Sequence, residues 1–74
     1  MEAMSVLSAV IIPDPDGGYV AQNPETGTTS QGDTIDEALG NLKEATELYL
    51  EEFPHSYSGS SLMTTFEVED AKAS

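Results

Sequence analysis

The stretch Gly32-Asp33-Thr34-Ile35-Asp36-Glu37-Ala38-Leu39 marks the start of the one helix that the sequence predicts with a clear N-terminus. Thr34 is followed three residues later by Glu37, which is the pattern of a capping box. In a capping box the Thr34 hydroxyl accepts a hydrogen bond from the Glu37 N–H, and the Glu37 carboxylate accepts one from the Thr34 N–H. Asp36 and Glu37 also place negative charge at the positive end of the helix dipole. The stretch therefore predicts a helix that begins at about Ile35.

Apolar residues downstream of this start recur at spacings of three and four, which predicts an amphipathic helix from about Ile35 to Glu52. The inward stripe of this helix is expected to consist of Ile35, Ala38, Leu39, Leu42, Ala45, Tyr49 and Phe53. Leu48 and Leu50 flank the stripe, so they either cover the edges of a sheet or contact another subunit. Pro54 predicts the end of the helix, since proline cannot continue it.

The residues before the helix predict two strands joined by a turn. Residues 5–12 are rich in β-branched side chains and apolar on both faces, which is typical of a strand well inside a sheet. Residues 13–18 contain two prolines, two aspartates and two glycines, a composition that favours a turn. Residues 19–23 are expected to form the return strand of a hairpin. Pro24 ends that strand because proline has no N–H to donate to a sheet.

Two further segments complete the predicted sheet. Residues 28–31 are expected to form a short third strand. After a polar loop at 54–61, residues 62–68 alternate between apolar and polar side chains and predict a last strand with one apolar face. The chain is thus predicted to be a single α+β domain of two layers, β-β-β-α-β, with one helix on one face of an antiparallel sheet. Residues 1–4 and 69–74 are expected to fray.

Size and composition restrict how such a domain can be stabilised. The chain has 74 residues, no cysteine and one histidine. A core of this size is marginal, and small domains often add disulfides, a metal or an oligomer interface. Disulfides and thiolate metal sites are excluded here, so we expect a homo-oligomer and no metal or other cofactor.

Acidic residues dominate the charge of the chain, because 14 Asp and Glu oppose only Lys43 and Lys72 and give a net charge of −12. Direct binding of nucleic acid or of an anionic membrane is not expected, since both need clustered cations. The acidity either keeps a small protein soluble or attracts a basic protein partner. No apolar run reaches the ~20 residues needed to cross a bilayer. Residues 1–4 lack the basic region of a secretory signal, so we expect a cytoplasmic protein.

Several short motifs follow one another in a fixed order between residues 17 and 52. They read Gly17-Gly18-Tyr19-Val20-Ala21, Pro24, Gly27, Ser30-Gln31-Gly32-Asp33-Thr34, Glu37-Ala38-Leu39-Gly40-Asn41-Leu42-Lys43-Glu44-Ala45 and Tyr49-Leu50. In this order they resemble the HicB-type antitoxin domain, and the resemblance covers about half of the chain.

The resemblance implies a degenerate ribonuclease-H-like fold and a protein-binding function. A HicB-type domain would neutralise HicA, a small basic RNA-cleaving toxin, by masking its RNA-contacting face. Many HicB-type antitoxins continue into a C-terminal DNA-binding module, but residues 69–74 could not form one, so we do not expect DNA binding to carry over. The alternative is a stand-alone, self-associating HicB-like domain that has no toxin partner.

Two sets of residues are candidate contacts for these two functions. A basic toxin would be met by acids in the hairpin turn and on the outside of the helix: Asp14, Asp16, Glu44, Glu47 and Glu51. Self-association would use an exposed strand edge or the two helix flanks, Leu48 and Leu50.

The carboxylates also invite comparison with ribonuclease-H-like enzymes, which gather acids around two Mg²⁺ ions. The acids in question are Asp14, Asp16, Glu25, Asp33, Asp36 and Glu37. Local turn bonding explains the first two, and helix capping explains the last two. His55 lies in a polar loop where no serine is marked as a nucleophile. We therefore expect no catalytic residue and no metal ligand.

Overall fold

The computed structural model describes residues 6–54, 59 and 61–69. Its regular elements are β1 (Val10–Pro13), β2 (Tyr19–Gln22), β3 (Thr29–Gly32) and α1 (Ile35–Glu52). The strands form one sheet in the order β1-β2-β3, and both pairs are antiparallel. The helix packs across β3 and β2 on one face of the sheet. This arrangement confirms the predicted two-layer α+β fold with a single helix.

Helix α1 begins and ends where the sequence predicts. The Glu37 N–H donates to the Thr34 hydroxyl oxygen at 3.1 Å, so Thr34 is the N-cap as expected. At the other end the Phe53 N–H donates to the Tyr49 carbonyl at 2.8 Å, and Pro54 follows directly. The local capping chemistry is therefore sufficient to fix both ends of the helix.

A close approach between β3 and the first turn of α1 depends on Gly32. A Cβ at this position would lie 2.6 Å from the Ala38 nitrogen and 2.7 Å from the Glu37 Cβ. Gly18, which has a φ of +79°, packs from the other side, and its own Cβ would lie 2.6 Å from the Gly32 carbonyl oxygen. The two glycines let the hairpin, β3 and the helix start meet at one end of the sheet.

The core is small. Its fully buried apolar residues are Ala21 on β2 and Ala38 and Leu42 on α1, with Ala9, Ile11 and Tyr19 partly buried around them. Part of the predicted inward stripe is not covered, since Ile35 is 45 % exposed, Leu39 37 % and Phe53 53 %. Three strands of four residues are too narrow and too short to cover an 18-residue helix.

Strand β1 differs from its prediction in length and in place. It begins at Val10 instead of at residue 5, because β2 ends at Gln22 and Val10 is the last residue that finds a partner there. It also lies at the edge of the sheet, whereas its apolar sequence predicted an inner strand. Among the described residues, β1 pairs with β2 alone.

The predicted last strand at 62–68 is not formed. Residues 61–69 have no regular secondary structure, and all of them are exposed. Large apolar side chains among them are mostly exposed to solvent: Leu62 is 93 % exposed, Phe66 85 % and Val68 75 %. The alternating pattern gives the segment the chemistry of a strand, but the described part of the chain gives it no neighbour to pair with. Fraying was predicted at 1–4 and 69–74; of these residues only Glu69 is described, and it is exposed without regular structure. The loop residue His55 also lies outside the described residues.

Candidate partner-binding surfaces

The hairpin turn places its two acids differently. The Asp16 N–H donates to the Asp14 Oδ1 at 2.8 Å, and the Gly17 N–H donates to the Asp14 carbonyl at 2.9 Å. This is the local turn bonding that the sequence predicts for aspartate. Asp14 is half-buried as a result, while Asp16 is exposed at the tip of the turn.

The three helix acids share the outer face of α1. Glu44 and Glu51 are about 20° apart around the helix, and Glu47 lies within about 60° of Glu44. All three are exposed, and they lie opposite the buried side of the helix. Together they form an acidic stripe, Glu44–Glu47–Glu51, roughly 10 Å long.

The structure does not bring the two groups of acids together. The turn after β1 lies at the same end of the sheet as Gly32, because Tyr19 pairs with both Pro13 and Gly32. The hairpin acids therefore lie near the N-terminus of α1, whereas Glu47 and Glu51 lie near its C-terminus. A partner that contacts both groups would have to span most of the length of the helix, about 27 Å.

Sequence reasoning missed an acidic cleft at the N-terminal end of the helix. The cleft has a volume of about 350 Å³, and Asp14, Asp33, Glu37 and Tyr19 are among the residues that line it. Asn41 forms part of its wall and donates from Nδ2 to the Gln31 carbonyl at 2.8 Å. The only signal for it in the sequence is indirect, because the strand register decides which acids face each other.

A polar network occupies the opposite end of the sheet. Asn23 is buried, and its Nδ2 donates to the Ser8 carbonyl and to the Glu25 Oε1, both at 2.7 Å. Its Oδ1 accepts from the Thr26 N–H at 2.9 Å. The hydroxyls of Thr28 and Thr46 meet at 2.8 Å and join this turn to the helix. Thr46 is buried because of this contact, although it was no part of the predicted apolar stripe.

Glu25 connects three distant parts of the chain. Its Oε1 accepts from the Ser8 N–H at 2.7 Å, and its Oε2 accepts from the Ser61 N–H at 2.6 Å. These hydrogen bonds, that from Ser61 foremost, stabilise the carboxylate and lower its pKa from 4.5 to about 2, although partial burial opposes the shift. No sequence motif connects Glu25 with Ser61, which lies 36 residues away.

The six acids considered as metal ligands are spread over the molecule. Asp14, Asp33 and Glu37 line the cleft, while Glu25 belongs to the polar network. Over residues 6–54, 59 and 61–69, no group of three acidic or histidine side chains is arranged to hold a metal ion. His55 lies outside these residues.

The two candidate residues for self-association have different surroundings. Leu48 is 59 % exposed, whereas Leu50 is half-buried against the body of the domain. More apolar surface lies elsewhere, on the exposed segment 61–69 and at Ile12 on β1, which is 46 % exposed. Within the described part of the chain, α1 does not have the apolar character of a bilayer-spanning helix.

Comparison with known proteins gives two relatives from Synechocystis. The chain is 49 % identical over 47 residues to the UPF0150 protein ssl0738 of Synechocystis, a match that covers 62 % of this chain and 65 % of the relative. It is 57 % identical over 37 residues to the UPF0150 protein ssr1765 of the same organism, covering 49 % of this chain and 47 % of the relative. The chain thus spans about half to two thirds of the length of these relatives.

No solved structure is significantly similar to the chain. A family model matches nearly all of the chain, from residue 6 to residue 73. The chain belongs to this family, the family of unknown function DUF7387.

Proposed function

We propose that this protein is a HicB-like, antitoxin-type binding domain that neutralises a small basic HicA-type toxin. The observation that carries the proposal is the acidic stripe Glu44–Glu47–Glu51 on the outside of α1, in a chain whose net charge is −12. Such a surface repels nucleic acid and attracts a protein whose own surface is built to bind RNA.

The domain would act by occupying the toxin's RNA-contacting face, without chemistry of its own. Lysine and arginine side chains that hold RNA phosphates would instead meet the carboxylates of the stripe. Long-range attraction would speed the encounter, and exclusion of RNA would follow from steric overlap. The cleft formed by Asp14, Asp33 and Glu37 offers a second place for a cationic side chain at the other end of the helix.

A charge reversal in the stripe tests this proposal. The partner to use is the product of the neighbouring reading frame, which the proposal expects to be short and rich in lysine. Glu51→Lys puts a positive charge into the stripe and should weaken toxin binding about 10-fold, as expected for the loss and reversal of a contact of about 1.4 kcal/mol. Isothermal titration calorimetry measures the change.

Glu52→Lys is the matched control, because it makes the same charge change one residue away and about 100° around the helix. Its effect on toxin affinity should be several-fold smaller. Equal effects of the two variants would show that only net charge matters and would remove the stripe from the interface.

The second candidate is a self-associating domain without a toxin. It is favoured by the apolar surface that the single chain leaves open, which includes Leu48 and the segment 61–69. Light scattering at low micromolar concentration tests self-association, which predicts a mass at least twice that of the 7.9 kDa chain. The toxin titration above decides separately whether a basic partner is bound.

A further inference from the structure

We propose that two copies of this chain exchange their C-terminal segments, so that residues 61–69 of each copy pair with the open edge of β1 in the other. Residues 61–69 are called the C-terminal arm below. This inference rests on the self-association named above as the second candidate function, and it identifies the segment that carries it.

The first observation is the character of β1. Its sequence is apolar on both faces, as in a strand that has neighbours on both sides, yet β1 lies at the edge of the sheet. Ile12 on this strand is 46 % exposed. An open apolar edge is a template for pairing with another strand.

The second observation is the character of the C-terminal arm. In an extended conformation Leu62, Phe66 and Val68 fall on one face of the arm, and Met63, Thr65 and Glu67 fall on the other. The first three are 93 %, 85 % and 75 % exposed. The arm therefore has the alternation of a half-buried strand, but the described residues leave its apolar face largely exposed.

The hydrogen bonds of Glu25 determine where the C-terminal arm begins relative to the sheet. They hold Ser61 close to Ser8, two residues before β1 begins. The eight residues that follow can extend about 26 Å, about twice the length needed to pair with a four-residue strand.

A second copy is the occupant that these features fit best. Within residues 6–54, 59 and 61–69, one chain carries both an open edge at β1 and an arm outside the sheet, so two copies related by a twofold axis satisfy both needs twice. Leu62, Phe66 and Val68 from both arms would remove roughly 500–700 Å² of apolar surface from water, before the covered surface of β1 and the backbone pairing are counted. A specific interface should bury more than about 1,000 Å² in total, so β1 and the paired backbone must supply the remainder.

Sedimentation velocity on the full-length chain tests the exchange, at moderate salt to screen the charge. The wild-type chain should sediment as a dimer of the 7.9 kDa protomer. Phe66→Asp places a charge on the apolar face of the arm and should raise the dimer dissociation constant at least 100-fold. Thr65→Asp adds the same charge on the opposite face of the same arm and should change it less than 10-fold.

Phe66 makes no part of the buried core, so circular dichroism should show that both variants keep the wild-type helix content. A monomeric wild-type chain, or a dimer that Phe66→Asp leaves intact, overturns the proposal. No toxin is present in this experiment, so its result leaves the antitoxin-type function untouched.

Cross-linking shows whether the arm is exchanged or folds back on its own sheet. The chain has no cysteine, so the double variant Ile12→Cys and Thr65→Cys carries only the two introduced thiols. A short bis-maleimide should join them between chains and give a covalent dimer on a denaturing gel. Cross-links confined to single chains mean that each arm pairs with its own β1, which would overturn the exchange.

Discussion

Glu25 joins three segments that are far apart in the sequence. Its two carboxylate oxygens hold the Ser8 N–H ahead of β1, the Asn23 amide after β2 and the Ser61 N–H at the start of the C-terminal arm. Glu25 is one of 14 acidic residues in the sequence. It nevertheless positions both the segment at Ser8 and the segment at Ser61. Sequence reasoning missed this role because it depends on contacts between residues up to 36 positions apart.

The lowered pKa of Glu25 has a consequence for stability at acid pH. A carboxylate with a depressed pKa stabilises the folded state above its unfolded pKa, and that stabilisation is lost as the pH falls through the folded pKa. For Glu25 the loss should occur between about 4.5 and about 2. Urea unfolding of Glu25→Gln should therefore show lower stability than wild type at neutral pH, with a difference that shrinks through this range.

Glu47→Gln is the matched control for this experiment, because it removes one carboxylate from the exposed face of α1. Its stability difference from wild type should stay nearly constant over the same pH range. A Glu25→Gln difference that is equally constant would contradict the role assigned to Glu25.

At the scale of the elements, the junction between β3 and α1 decides how the layers meet. The capping residues start the helix, and Gly32 lets its first turn approach the sheet. A side chain at Gly32 would have to displace backbone atoms of Ala38, which cannot move without moving the helix. The acidic cleft lies beside this junction, so its shape depends on the same approach.

Two glycine-to-alanine variants test the junction. Gly32→Ala should lower the free energy of unfolding by about 1–3 kcal/mol, the usual cost of overpacking. Gly40→Ala should raise it by about 0.5–1 kcal/mol, because Gly40 lies inside α1 with open space around its Cβ position. Chemical denaturation measures both. Similar effects of the two substitutions would contradict the close approach at Gly32.

The elements also show how far the sequence could be interpreted. The ends of α1 follow from Thr34, Phe53 and Pro54, whose effects are local, and the structure places them as predicted. The strand at 62–68 was predicted because apolar and polar side chains alternate there. This alternation shows that a segment is suited to a sheet, but it does not show that a neighbouring strand is present. The same limit explains β1, whose apolar sequence could not show that one of its sides is open.

Only part of the candidate site could be predicted, because sequence patterns encode local geometry but not the contacts between distant segments. Helical spacing alone places Glu44, Glu47 and Glu51 on one face, because the geometry of a helix is fixed. The grouping of Asp14 with Asp33 and Glu37 depends on strand register, which no short sequence motif encodes here.

At the scale of the whole molecule, the charge of −12 makes the two kinds of association respond oppositely to salt. Added salt screens the attraction between this domain and a basic toxin, so that binding should weaken. It also screens the repulsion between two acidic copies, so the arm-exchanged dimer should become tighter. Sedimentation velocity of the chain alone over a range of salt concentrations checks the second effect, and a dimer that dissociates as salt is added would contradict it.

The proposed function requires that the acidic stripe Glu44–Glu47–Glu51 binds a basic protein. One titration tests this requirement directly. The wild-type chain is titrated by calorimetry into the product of the neighbouring reading frame, which the proposed function expects to be a HicA-type protein, at low and at high salt. The account predicts binding at low salt that weakens by at least 10-fold at high salt, as the screening of several charge pairs requires. Absence of binding at low salt, or an affinity that salt leaves unchanged, would contradict it.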